Sequence, residues 1–133
     1  SDVCSSDLQP KAVSLHSQQI GASTMSSSIL QDLLKLMHRS TLILSDSGGL
    51  QEEAPSMGRP ILILRERTER PEVVQVGAGI LVGTDPDLIV KEALSILCDP
   101  VVYERMVTVP NPFGDGKASA RITEILEQGD FEL

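Results

Sequence analysis

Two stretches of the chain carry side chains whose types and spacing could do chemistry. The first is Leu44-Ser45-Asp46-Ser47-Gly48-Gly49-Leu50-Gln51-Glu52-Glu53-Ala54. The apolar, β-branched run 41–44 before it reads as a buried strand. Such a strand delivers the chain to the carboxyl edge of a sheet, where ligands bind in open α/β folds. Two glycines then let the backbone come close to a ligand. A helix starting there offers free N–H groups and the positive end of its dipole, which favour an anion. Ser47 can add a hydroxyl donor. Gly49 and Glu53, four residues apart, fall on one helix face about 5–6 Å from each other. That is roughly the step from a phosphate to its ribose, so Glu53 could accept hydrogen bonds from the two ribose hydroxyls. The pattern describes a site for a sugar linked to a nucleoside diphosphate. Gln51 and Glu52 read as helix capping or packing.

The second stretch is Arg65-Glu66-Arg67-Thr68-Glu69-Arg70-Pro71-Glu72, directly after another apolar run. It holds three of the eleven Lys and Arg residues of a chain whose formal net charge is −8. A local cation is what an anion site in an acidic domain needs, and arginine can grip phosphate oxygens with a planar pair of donors. Arg70 is the candidate phosphate ligand; Arg65 and Arg67 divide evenly between site and solvated face.

These stretches need elements to hold them. Apolar residues at 29, 30, 33, 34, 36 and 37 follow helical spacing. Runs 41–44, 61–64 and 80–82 read as three short buried strands. A helix is expected over about 50–57, stopped by Gly58, with Pro55 shortening or kinking it. Asp85-Pro86 and Asp99-Pro100 combine a capping side chain with proline at the first helical position, so each should open a helix. Asn111-Pro112-Phe113-Gly114-Asp115-Gly116 is a turn-rich loop, read as structural, before a last helix over about 117–128. The alternation predicts an α/β fold, a three-layer Rossmann-like parallel sheet. The expected division is a poorly determined, partly non-native serine-rich segment over 1–28, a binding domain over 29–128 and a tail over 129–133. A short strand is conceivable at 13–15.

Composition narrows the function classes. Aromatics amount to 2% of the residues, with no Trp, which argues against folds that stack nucleic-acid bases on aromatic platforms. The acidic surface repels nucleic acid and anionic membranes. No apolar run approaches the roughly 18 residues of a membrane span, and no signal peptide is visible, so a cytoplasmic location is expected. Cys4 and Cys98 lack metal or redox spacing, and His16 and His38 have no clustered partners, so no metal site is expected. His16 and His38 read as surface residues, and Cys98 as a core residue at a helix end.

The motifs also carry a resemblance. Asp46-Ser47-Gly48-Gly49-Leu50-Gln51-Glu52-Glu53-Ala54-Pro55, Gly58-Arg59-Pro60, Thr68-Glu69-Arg70-Pro71-Glu72, Gly83-Thr84-Asp85 and Asn111-Pro112-Phe113-Gly114-Asp115-Gly116-Lys117-Ala118 occur in that order. The set resembles the C-terminal half of the non-hydrolysing UDP-N-acetylglucosamine 2-epimerases, over about 33–128. Phe113 stands where that family usually has tyrosine. The resemblance implies half of a two-domain fold of the glycosyltransferase-B type. It also implies that Ser47, Gly48 and Gly49 bind the diphosphate of a UDP-sugar, Glu53 the ribose and Arg70 the phosphates. It implies no cofactor and no metal, a homodimer for the intact enzyme, and a reaction that eliminates UDP and adds it back with inversion at C2. The catalytic acid and base are expected in an N-terminal half that this chain does not display, so the chain alone should be inactive.

Rival readings are a sugar-nucleotide-dependent glycosyltransferase of the same build, a non-catalytic UDP-sugar-binding module, and a hydrolysing epimerase of the same fold. Glu53-Ala54-Pro55-Ser56-Met57-Gly58-Arg59-Pro60 also fits the glycosyltransferases, whereas the Thr-Glu-Arg-Pro-Glu run and the loop 111–116 favour the epimerase. Asp46-Ser47-Gly48-Gly49 is also similar to the nucleophile loop of chymotrypsin-like proteases, but an all-β pattern and a histidine partner are both missing.

Overall fold

The computed structural model describes residues 27–129. The conceivable strand at 13–15, Cys4, His16 and most of the serine-rich segment lie outside the described residues, as does the tail beyond residue 129. The elements run α1 (Ser27–Arg39), β1 (Ile43–Ser45), α2 (Gly48–Ser56), β2 (Ile61–Ile63), α3 (Pro71–Gln75), β3 (Gly79–Leu81), α4 (Pro86–Cys98), α5 (Pro100–Val107) and α6 (Ala118–Gln128). The three strands form one parallel sheet in the order β1-β2-β3. Ile43, Ile61 and Gly79 share one register position, and Ser45, Ile63 and Leu81 share another.

Residues of β2 divide the interior. Ile61 and Ile63 point to one face, where they meet Met37 of α1, Ala54 of α2, Val73 of α3 and Ala78. Leu62 points to the other and meets Ile96 of α4, Met106 of α5, Leu42 and Val82. This is the period of two of a strand applied to a sheet covered on both sides, and it explains why the run reads as uninterrupted hydrophobics. All three β2 side chains are fully buried, and each contributes about 1.5–3 kcal/mol of transfer free energy at most. The expected α/β parallel sheet with helices on both faces is therefore what forms.

The boundaries differ from the sequence reading in places with physical causes. β1 sits at 43–45, where pairing with β2 sets it, and Leu42 packs into the core ahead of it. α2 begins at Gly48, so both glycines belong to its first turn and not to a preceding turn. Pro55 lies one residue from the end of α2. Gly58 then adopts φ 62° and the Arg59 amide returns to the Ala54 carbonyl at 3.0 Å. α3 was not expected. Its five residues are too few for a periodic signal, although Pro71 at the first position and Glu72 in the first turn are start signals. No helix among the described residues is long and apolar enough to cross a membrane.

Candidate functional site

All three strands point their carboxyl ends the same way. The loops after them, 46–47, 64–70 and 82–85, therefore gather along one sheet edge. Asp85 and Asp99 cap their own helices: Asp85 accepts from the Asp87 amide at 3.0 Å, and Asp99 from the Val101 amide at 2.9 Å. α2 starts differently. Ser47 is at its N-cap in an extended conformation, yet its side chain caps no backbone amide, and the first turn holds no acidic residue. The Ser47 amide donates to the Ser45 hydroxyl at 3.0 Å, which fixes the approach of the chain. A Cβ added at Gly48 would meet nothing within 4 Å. The result is an open, uncapped helix start where an anion would complete the orphan donors.

Glu53 lies on α2 one turn beyond Gly49, and both are exposed. Its backbone carbonyl is engaged by the Ser56 hydroxyl at 2.6 Å. Among the described residues its carboxylate enters no ion pair, so it is available to an external donor. Ser47, Gly48, Gly49 and Glu53 thus share one helix start, as their spacing requires.

Arg70 reaches α2 from the next loop. It occupies the N-cap position of α3, and its Nε donates to the Glu52 carboxylate on α2. One of its terminal nitrogens donates to the Glu69 carbonyl at 3.2 Å. The Arg70 and Glu52 side chains are 38% and 42% exposed, so the guanidinium keeps a solvent-facing edge. The Glu52 hydrogen bond, and then the Glu52 charge, hold Arg70 above the ordinary arginine range. It stays a cation at any working pH. Arg65 is half-buried beside the sheet and Arg67 exposed. The Arg65 carbonyl accepts from the Gly83 amide at 3.2 Å, which ties the second and third loops together.

Two residues read as capping or packing prove more connected. Gln51 is buried, with 1% of its surface exposed. Its Nε2 donates to the Ser47 carbonyl at 3.3 Å, and its Oε1 accepts the Thr68 hydroxyl. Glu52 is the partner of Arg70. The only sequence signal for either pair is their membership of the two motifs, because contacts 17 and 18 residues apart depend on how β2 packs. In and after the loop 111–116, Asn111 accepts from the Phe113 amide at 3.1 Å, and Asp115 holds Arg121 at 2.6 Å. His38 is exposed, and Cys98 closes α4 half-buried. An apolar cavity lined by Leu36, Met37, Ser40, Leu42, Ile43, Leu44 and Leu50 lies beside β1 and includes none of the candidate ligands.

The profile of the UDP-N-acetylglucosamine 2-epimerases matches residues 7–127. This chain belongs to the UDP-N-acetylglucosamine 2-epimerase family. The match begins N-terminal to the motif-bearing region at 33–128. The family member of Escherichia coli K12, a UDP-N-acetylglucosamine 2-epimerase, is 50% identical over 98 residues, which are 74% of this chain and 26% of that protein. The UDP-GlcNAc 2-epimerase of Neisseria meningitidis, solved bound to UDP-GlcNAc, superposes with a TM-score of 0.69 at 48% identity, covering 71% of this chain and 26% of that one. The S. aureus MnaA–UDP complex superposes with a TM-score of 0.68 at 40% identity, covering 75% and 27%. The chain thus spans about a quarter of the length of the epimerases it matches.

Proposed function

We propose that this chain supplies the UDP-binding part of a non-hydrolysing UDP-N-acetylglucosamine 2-epimerase. The whole enzyme would interconvert UDP-N-acetylglucosamine and UDP-N-acetylmannosamine by eliminating UDP and adding it back to the other face. Ser47, Gly48 and Gly49 bind the diphosphate, Glu53 the ribose hydroxyls and Arg70 the phosphate oxygens. The observation that carries this reading is the uncapped start of α2, with Glu53 one turn along, in no ion pair among the described residues, and Arg70 braced against the same helix by Glu52. The family's complexes with UDP-GlcNAc and UDP support it. No cofactor enters the scheme. We assign the enzyme a cytoplasmic role in making activated sugars for cell-envelope polysaccharides, working as a homodimer.

The test is a chemical-shift titration of the ¹⁵N-labelled chain with UDP. The Gly48 and Gly49 amides should shift, with submillimolar affinity at best because one domain covers one side of the ligand. If both amides stay still at saturating UDP while another surface responds, the site is misassigned.

A further inference from the structure

Gln51 is a buried polar side chain at the base of the candidate anion site, and the assigned ligands do not account for it. Every hydrogen-bonding direction around it is determined. The Arg70 amide can only donate, and it gives its proton to the Thr68 hydroxyl oxygen at 3.0 Å. The Thr68 proton must therefore go elsewhere, and it goes to Gln51 Oε1. The Ser47 carbonyl can only accept, so the Gln51 nitrogen must face it. The Gln51 amide also donates to that carbonyl, at 3.3 Å. A continuous chain of hydrogen bonds thus runs from the N-cap of α2 through Gln51 and Thr68 to the backbone of Arg70. A methionine or leucine could fill the same volume, but it would leave Thr68 without its acceptor.

We propose that Gln51 and Thr68 are positioning residues that set the distance between the Gly48–Gly49 amides and the Arg70 guanidinium, so that the two grip one diphosphate together. This rests on the UDP-binding reading above. Neither residue touches the ligand in this scheme. They act by holding the 68–70 turn against the first turn of α2, while Glu52 aims the guanidinium from the next position along the helix. Preorganisation of this kind lowers the ordering cost of binding and does not add a contact.

The experiment compares Thr68→Val and Thr68→Ser in the 133-residue chain by ¹⁵N NMR, following the Arg70 Nε–H resonance and the affinity for UDP. Valine keeps the shape and removes the hydroxyl; serine keeps the hydroxyl. Thr68→Val should shift or broaden the Arg70 Nε–H signal in the free protein and weaken UDP about threefold to tenfold, the range of one neutral hydrogen bond. Thr68→Ser should restore both to within about twofold, which a merely space-filling role would not require. Combining Thr68→Val with Arg70→Ala should cost little beyond Arg70→Ala alone, because the first acts through the second. Additive losses, or a valine variant with unchanged Arg70 signal, would overturn the proposal. If the unsubstituted chain fails to bind UDP at all, the binding reading is what fails. The Arg70 signal in the two ligand-free Thr68 variants then decides the positioning claim by itself.

Discussion

Arg70 and Arg65 are both arginines following β2, and their surroundings separate them. Arg70 is oriented by Glu52, by the Glu69 carbonyl and by its place at the start of α3. Among the described residues Arg65 has no ion pair, and its described role is through its carbonyl, which accepts from Gly83. A guanidinium already held in place gives up less entropy when it meets a phosphate. Arg70→Ala should therefore weaken UDP-sugar binding about tenfold to a hundredfold, the range for a hydrogen bond to a charged group. Arg65→Ala should change it by less than about threefold. Calorimetric titration in an enzyme completed with the remainder of a family chain checks this. Equal losses would indicate a diffuse cationic field. Arg70→Lys should rescue only part of the loss, since an ammonium cannot both keep the Glu52 contact and present a planar fork. That Ser47, Gly48, Gly49 and Glu53 share one helix start was legible in the sequence because they are near neighbours along it. Gln51 and Glu52 were not, because their partners lie across β2, and nothing local marks a residue 17 positions away as a neighbour.

Helix starts were the most readable elements. Asp-Pro at 85–86 and at 99–100 sets both the cap and the first backbone angle, and α4 and α5 begin there. Strand limits were less readable, since pairing along β2 and not side-chain type decides where β1 and β3 begin. α6 begins by a different device. Asp115 accepts from the Lys117 amide at 3.1 Å, and both its oxygens take the fork of Arg121, at 2.7 and 2.6 Å. The Arg121 hydrogen bond, followed by that of the Lys117 amide, holds the Asp115 carboxyl below its ordinary value of 3.8. A carboxyl depressed on folding contributes stability that is present above the unfolded value and lost as pH falls through the folded one. The start of α6 should stay anchored at neutral pH and loosen only under acid below the ordinary carboxylate range. A carbon-detected NMR titration should place the Asp115 midpoint below 3.8, and Arg121→Ala should return it upward. A wild-type midpoint at or above the ordinary value would contradict the anchor. The groups are exposed, so added salt should narrow the difference.

At the scale of the molecule, the described residues bury both faces of the sheet and leave other apolar surface in water. Among the described residues β1 and β3 each pair with β2 alone. Ile122, Ile125 and Leu126 form the apolar face that spacing foretold for α6, yet none of the helix is buried. Ile29, Leu30 and Leu36 of α1 are likewise exposed. The epimerases this chain matches are nearly three times as long. Abstracting a proton beside an acetamido carbon needs a base within hydrogen-bond reach and a site that excludes water. Glu53 is exposed and is proposed to hold the ribose, and the open edge of a single sheet excludes little water. The 133-residue chain should therefore bind UDP and not turn over UDP-N-acetylglucosamine. Proton exchange at C2, followed by deuterium incorporation in heavy water, should stay at the level of a Glu53→Ala control. Incorporation above that control would show that the described residues hold a working base, and would move the catalytic centre onto this sheet edge.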